Sequence, residues 1–511
     1  MNTVGRVSIV RGEICIVRGL EGIGLGNVVI FSTGAKGIVL GFRSQSAEVI
    51  MLGAINSIRK GDLVRVFSQS MTIGVDDALL GRVISPLGEP LDGKGAIEMP
   101  PNTQYPIEVP ARPIHQREII ERPLKTGYLS IDSQIPLGLG QRELLLGEQN
   151  AGQSETAIDI MCNQKNLATG VLSIYVAIDA EAAAVKRRIL RLEESGALQN
   201  SIIVVGRASD SASIHYIAPM AATTIAEYFA AKGRDVLIVY DNLTNHAKAY
   251  RHISLLLDRP VSREAYPGDI FYLHSRLLER SGAFNITVGG GTITALPIVE
   301  TQNEDSTDFI PTNLMSITDG HVLFRRSLAN KGEQPPIDSG FSVSRIGSRV
   351  QYPLMRTLSD KVRDTLIKYE EVARFMSFGA DIGSESLEAY DLGKIAHIVL
   401  QQDHTTYYSP IEECILMYMV VSGSIRQWPE SQVKTVTTEL LHFIRSEPYS
   451  NILNTSMLVA TYEDSLSVLR ECIADFLKHP DTTKPLAKET RLVAEIETVS
   501  ELLRKDNEDI E

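Results

Sequence analysis

The spacing of hydrophobic and polar positions changes twice along the chain, and its three regimes predict three kinds of structure. From Val4 to about Thr72, short runs such as RVSIV, EICIV, NVVIF, GIVLGF, AEVIML and LVRVF are broken every few positions by glycine and polar residues. Runs of this length predict a small antiparallel β-barrel over residues 1–72. Residues 81–115 are rich in proline and glycine and predict an irregular connection over the surface. Beyond them ELLLGE, VLSIYVAI, SIIVVGRA and DVLIVYD are almost wholly apolar, while 154–167, 181–198 and 212–234 carry helical periodicity. Doubly buried strands alternating with helices predict a mostly parallel sheet covered on both faces, in a central α/β domain over 73–352. From about Pro353 the apolar residues recur every three or four positions in 355–379, 386–402, 410–422, 430–445, 462–478 and 486–505. The region 353–511 is therefore expected to be a helical domain.

Composition narrows the class. The chain has 511 residues, which at roughly 150 per domain agrees with three domains. Hydrophobic residues at 43% and charged residues at 22% are those of a folded water-soluble protein. No apolar run is long enough to cross a bilayer, and the opening MNTVGRVSIVRGE lacks a secretory apolar segment, so an intracellular protein is expected. Cys15, Cys162, Cys414 and Cys472 are far apart and lack metal-ligand spacing, which predicts reduced, partly buried thiols. A net charge of −13 argues against a nonspecific nucleic-acid binder.

The chemistry is concentrated in QRELLLGEQNAGQSETAIDI, residues 141–160, where an apolar strand runs through a glycine-bounded loop into a helix. A working phosphate loop, G-x-x-x-x-G-K-[ST], cradles phosphates with backbone N–H groups, reaches them with its lysine and binds magnesium through its hydroxyl. Gly147, Gly152 and Ser154 keep that spacing, but Gln153 stands at the lysine position, and Glu148 and Glu155 add carboxylates beside it. A unit-charge contact at about 4 Å is worth on the order of 4 kcal/mol at an effective dielectric of about 20, so the changes oppose anion binding. Asp241 ends the apolar strand DVLIVYD, where a nucleoside triphosphatase holds magnesium through water; a simple turn-capping aspartate is the alternative. Gly289–Gly291 read as a connection, since no Lys-Ser/Thr pair follows them.

The order of barrel, phosphate-loop domain and helical region resembles the alpha subunit of the rotary F-type ATP synthase. The resemblance is carried by IPLGLGQREL ending at Leu144, AYRHISLLLDRPVSREAYPGDIFYLHSRLLER at 249–280, TALPIVETQ at 294–302, IPTNLMSITDG at 310–320 and SGFSVSRIGS at 339–348. The flagellar and type III secretion ATPases share YLHSRLLER but less of the rest. The resemblance implies a β-barrel, a RecA-like P-loop domain and a helical bundle. It also implies a ring in which three such chains alternate with three catalytic beta-type subunits around a gamma-type shaft, peripheral to a membrane ion-translocating sector. ATP or ADP with magnesium would sit at the interface with the beta-type partner, and Arg345 in FSVSR would serve as an arginine finger acting in trans. Residues 369–389 would face the shaft, with a helix ending near Phe378 and Gly379.

The departures from the family pattern cluster on one ligand. Alpha subunits carry lysine at the position of Gln153, arginine at Glu148, a second acidic residue at Asn242, a Gly-Gln pair at Asp179 and Ala180, and an adenine-side arginine at Gln334. Thr405 and Tyr407, after His404, stand near the family's adenine-contacting glutamines, with Gln401 and Gln402 as substitutes. Gln149 and Ser154 match the family loop. The expected nucleotide site, Gly147, Gln149, Gly152, Gln153, Ser154 and Asp241, with Ser154 and Asp241 on any magnesium, is thus weak or empty, while Arg345 is retained. The usual helical extension before the barrel is also expected to be missing, since the first strand starts at about Val4. A self-sufficient secretion-type ATPase and a purely structural ring subunit are the alternatives.

Overall fold

The computed structural model describes residues 4–53, 57–302, 307–377, 383–446, 449–452 and 462–478. The strands are β1 (Val4–Arg11), β2 (Ile14–Arg18), β3 (Val28–Phe31), β4 (Lys36–Arg43), β5 (Ser46–Leu52), β6 (Leu63–Ser68), β7 (Thr72–Gly74), β8 (Val83–Ile84), β9 (Gln104–Pro106), β10 (Leu144–Glu148), β11 (Leu172–Ala180), β12 (Ser201–Arg207), β13 (Asp235–Asp241), β14 (Gly282–Ala283), β15 (Thr292–Thr301), β16 (Gly320–Phe324) and β17 (Ile337–Ser344). The helices are α1 (Leu129–Gln134), α2 (Gln153–Asn166), α3 (Ala182–Glu194), α4 (Ala212–Ala231), α5 (Leu243–Leu256), α6 (Ile270–Leu278), α7 (Phe309–Ile317), α8 (Arg326–Asn330), α9 (Pro353–Ser377), α10 (Ser384–Leu400), α11 (Pro410–Val421) and α12 (Glu430–Arg445), with further helical stretches at Tyr449–Ile452 and Tyr462–Lys478. The predicted order of barrel, α/β domain and helical region is the one observed.

By internal contacts the molecule divides into two units, the first of Met1–Leu124, Gly138–Lys331 and Pro336–Ile346. In that unit, β1 to β6 close a barrel in the order β1-β2-β5-β4-β3-β6, leaving no unpaired edge. Alternation puts Val7, Val17, Val29, Val39, Val49 and Val64 into its centre. Glu13, in the first hairpin, accepts the N–H groups of Ala212 and Ser213 at 3.0 and 3.1 Å. It thereby satisfies donors left open at the start of α4, where a carboxylate also meets the positive end of the helix dipole.

The sheet of the same unit runs β17-β16-β10-β15-β13-β11-β12-β8. From β16 to β8 the neighbours are parallel, and β17 returns antiparallel along β16. The central strands are buried on both faces, with α4 and α5 contributing Ile217, Ala221, Ile225, Phe229 and Ile253 to the core against them. Two sequence expectations need correction. The 81–115 connection is not wholly irregular, because Val83–Ile84 pairs with Ile203 and Val204 as an edge strand too short to show a period. The helix expected over 181–198 stops at Glu194, because Gly196 turns left-handed at φ +72 and starts a separate 3-10 turn.

The second unit comprises Lys125–Leu137, Gly332–Pro335 and Gly347–Glu511. Leu358, Val362, Ile415, Met417, Trp428, Val433, Leu440 and Leu469 share its core. Ser409 and Glu412 form a capping box with Pro410 at the start of α11. The turn between α9 and α10, expected near Phe378 and Gly379, and the stretch 486–505 lie outside the described residues. The four cysteines are buried and unpaired.

Beside that capping box lies a buried acid pair. Asp132 accepts the N–H groups of Thr126 and Gly127 and the Thr126 hydroxyl at 2.8–3.1 Å, with Glu413 against it. Burial pushes Asp132 up to about 6 and Glu413 well above the usual carboxylate range. Asp132, with its donors, carries the charge, and Glu413 holds the proton. A folded-state value raised in this way favours folding below the unfolded value near 4, and that contribution is lost as pH rises through about 6. In thermal melts of the full-length protein from pH 4 to 8.5, the wild type is expected to lose stability with pH and Glu413→Gln to lose less. The difference should approach about 1.4 kcal/mol for each tenfold change in proton affinity that the substitution relieves; parallel curves would contradict the assignment.

Candidate functional site

The phosphate-loop segment is built as its sequence spacing requires. Leu144–Glu148 is a central strand, the backbone turns over 149–152, and α2 begins at Gln153. Gly152 takes φ +106 next to Pro336, whose Cγ would lie 3.3 Å from an added Cβ. A side chain at Gly147 would come within 2.6 Å of Gln153 Nε2 and 2.7 Å of the Phe324 carbonyl. Gly147 is therefore required by close backbone approach and Gly152 by its left-handed backbone.

Gln153 does not project outward. It is buried, and its Nε2 donates to the Glu148 carbonyl at 3.0 Å, tying the start of α2 back to the strand that feeds the loop. At the position where a phosphate loop extends an ammonium, this protein closes a neutral hydrogen bond on itself. Gln149 and Glu155 are exposed, and Ser154 is half-buried.

Asp241 ends β13 on the same carboxyl-terminal side of the parallel sheet as the loop, with β15 between β13 and β10. It is buried, and its Oδ2 already has two partners. The Tyr175 hydroxyl donates to it at 2.5 Å, and Arg188 of α3 forms an ion pair with it at 2.9 Å. Arg188 also donates to the Tyr175 hydroxyl at 2.5 Å and lies over its ring at 5.7 Å. Burial alone would lower the Arg188 value, but Tyr175, Asp241 and Glu155 outweigh it and raise it, while the Tyr175 hydroxyl is pushed well up, chiefly by burial.

Sequence reasoning missed Arg188 and Tyr175, although one signal was present. Val185 and Leu192 are the buried positions of α3, and Arg188 stands three residues after the first and four before the second. A basic residue thus occupies the apolar stripe of an amphipathic helix. The neighbouring Asn242 is also committed: its Oδ1 accepts the Asn245 N–H at 2.8 Å, capping α5, and its Nδ2 donates to Glu300 at 2.9 Å. Asp179 takes φ +55, a conformation glycine adopts freely and aspartate tolerates better than most residues.

Two features of these residues bear on a magnesium nucleotide. No cation stands at position 153, and the carboxylate that would hold the metal's water is paired with the protein's own guanidinium. Among the described residues, no group of three or more His, Cys, Asp or Glu could hold a metal. In the second unit Gln402 is buried and used up: its amide donates to the Gly127 and Thr406 carbonyls at 2.6 and 2.9 Å, and its oxygen accepts the Leu129 N–H at 3.1 Å. Its own backbone N–H donates to the Gln334 carbonyl at 2.6 Å. Gln401 and Tyr407 are half-buried and Thr405 is exposed.

Arg345 lies elsewhere. It is exposed just past β17, the edge strand, whose alternation puts Phe341 and Val343 on its exposed side. Because β17 runs antiparallel to β16, Ser344 pairs with Gly320, one residue before the level of Leu144. Arg345 is thus at the amino-terminal end of the strands, roughly 16 Å along them from the loop at about 3.3 Å per residue. The structure groups Gly147, Gln149, Gly152, Gln153 and Ser154 with Asp241 on one side of the sheet, and puts Arg345 on the other.

The ground beneath Arg345 is tightly bonded. Its N–H donates to the Asp319 carbonyl at 2.8 Å. The Asp319 carboxylate takes a two-pronged ion pair from Arg142, at 3.0 and 2.7 Å, and the Arg142 N–H at 3.0 Å. Gln141 joins the buried Glu143 to Ser344, at 2.7 and 3.0 Å. Burial holds the Glu143 carboxyl well above the usual carboxylate range, and it packs against Gly320, where a side chain would collide with it.

Comparison with known proteins bears on these features. Residues 127–344 match the nucleotide-binding domain of the ATP synthase alpha/beta family, and residues 351–476 match the C-terminal domain of the ATP synthase alpha/beta chain. The sequence is 42% identical over 439 residues to "ATP synthase subunit alpha" of Caldanaerobacter subterraneus subsp. tengcongensis, covering 86% of each. It is 41% identical over 443 residues to the protein of that name from Clostridium botulinum, again covering 86% of each. To that of Orientia tsutsugamushi it is 38% identical over 487 residues, 94% of each.

The Arg142–Asp319 pair generates a local prediction. Asp319→Ala should cost about 1.5–3 kcal/mol of local stability, the worth of a charge-assisted hydrogen-bond set. Hydrogen-exchange mass spectrometry should show amides across 337–346 exchanging roughly tenfold or more faster, since about 1.4 kcal/mol is a factor of ten. Unchanged exchange would show that the edge is held by other contacts.

Proposed function

The chain belongs to the ATP synthase alpha/beta family, among its F-type alpha subunits, and on that premise we propose that it is a noncatalytic ring subunit that lends Arg345 to a neighbouring catalytic site. Its partners on this reading are beta-type subunits, which alternate with it, and a gamma-type shaft, with a membrane ion-translocating sector reached through other subunits. Magnesium with ATP or ADP belongs to the interface with the beta-type partner. The complex is peripheral to a membrane, in keeping with the absence, among the described residues, of any helix long and apolar enough to cross one.

The observation that carries the proposal is the separation of Arg345 from its own phosphate loop, at opposite ends of the parallel strands. From there the guanidinium cannot serve a phosphate on Gly147–Ser154, and the exposed edge strand presents it outward. A guanidinium entering from a neighbour neutralises charge spreading over the transferring phosphoryl group, an effect of about 10³ to 10⁵ in rate. Gly147, Gln149, Gly152, Gln153, Ser154 and Asp241 keep the shape of a nucleotide site, with Ser154 and Asp241 where magnesium would bind. Their own site is weak or empty, because Gln153 supplies no charge and is bonded to Glu148.

ATPase assays separate this reading from a self-sufficient ATPase and from a structural scaffold. The protein alone should be inactive and the assembly with a beta-type partner active, and Arg345→Ala should lower the assembled rate by several hundredfold or more. Turnover by the protein alone, or an assembled rate indifferent to Arg345→Ala, would contradict it. Equilibrium dialysis of the assembly with labelled ATP and a blocked beta site should find no tightly held nucleotide on this subunit; one equivalent per subunit would defeat the weak-site reading.

A further inference from the structure

We propose that Arg188 is the built-in counter-cation of Asp241, taking the place of the magnesium ion a phosphate loop would recruit, so that the protein's own site is closed from within as well as lacking its lysine. The proposal rests on the weak-site reading and extends it by naming the group that does the closing.

A carboxylate at the end of β13 serves a magnesium nucleotide by accepting hydrogen bonds from the metal's water. Oδ2 of Asp241 accepts instead from Tyr175 at 2.5 Å and is ion-paired with Arg188 at 2.9 Å. The Arg188 nitrogen is shared with the Tyr175 hydroxyl, so guanidinium, phenol and carboxylate form a closed triangle. The Arg188 side chain is only 21% exposed, and that of Asp241 is 7% exposed. Glu155, at the start of α2, adds further attraction to the guanidinium from the loop side.

A magnesium ion would have to displace a cation already paired in a largely water-excluded place, and the displaced guanidinium would remain beside the incoming metal. Paired buried charges resist separation because each left alone bears its desolvation cost unshared. Gln153→Lys alone would therefore restore an attraction for phosphate while leaving the metal position filled. Arg188 as a phosphate ligand is the opposing idea. It is disfavoured by the commitment of its nitrogen to Tyr175 and Asp241.

The test uses the purified full-length protein, with ATP binding followed by equilibrium dialysis in magnesium or in EDTA. Wild type should bind little in either, and Gln153→Lys should bind weakly and equally in both. Gln153→Lys with Arg188→Leu should bind at least tenfold tighter in magnesium, and EDTA should abolish that gain. Gln153→Lys with Arg188→Lys, which keeps a cation, should behave as Gln153→Lys alone. Circular dichroism checks folding, and Arg188→Gln replaces the leucine variant should that one not fold. Full magnesium dependence in Gln153→Lys alone, or a double variant that binds no tighter or more weakly, overturns the role of Arg188. Tight binding by the wild type would instead overturn the weak-site reading beneath it.

Discussion

The parallel pairing of Leu144–Glu148 between Thr292–Thr301 and Gly320–Phe324 is the constraint on which both functional features depend. Parallel strands deliver their carboxyl ends to one side of a sheet, where ligands of such folds gather. The same register makes the antiparallel return of Ile337–Ser344 finish on the opposite side. One polypeptide thus carries a phosphate-loop shape and an exposed guanidinium that cannot meet each other. Their separation favours a division of labour between neighbouring subunits.

The two sides are also electrostatically distinct. At the loop, opposite charges are consumed internally: Arg188 with Asp241, and Arg191 of α3 with Asp159 of α2 at 2.5 Å. At the edge strand Asp319 is satisfied by Arg142 and burial raises the Glu143 carboxyl, but the Arg345 guanidinium is left exposed. The buried charges on the loop side are paired within the protein, while the Arg345 guanidinium is exposed at the edge strand. The backbone N–H of Arg345, bonded to Asp319, fixes the base of that side chain.

Much of this was legible in the residues. Long apolar runs gave away the buried strands, and the helical periodicity over 410–422 marked the helix that the structure forms at Pro410–Val421. The lost charge at Gln153 was evident; its bond to Glu148 was not, because side-chain direction depends on the turn at Gly152. Arg188 escaped notice because it stands among Lys186, Arg187 and Arg191 on an amphipathic helix, where basic residues ordinarily read as solvated, and the placement of Tyr175 and Asp241 across from it shows otherwise. Val83–Ile84 was hidden for a simpler reason, since two residues carry no period.

Whether this subunit gives a guanidinium to its neighbour and holds no fuel itself can be decided by an experimental density map of the assembled ring with magnesium and a nonhydrolysable ATP analogue. Arg345 is expected within hydrogen-bonding distance of a phosphate on the adjoining beta-type subunit, with Gln153 still bonded to the Glu148 carbonyl. A triphosphate and metal seated on Gly147–Ser154 and Asp241, with Arg345 remote from every phosphate, would contradict both halves of that expectation.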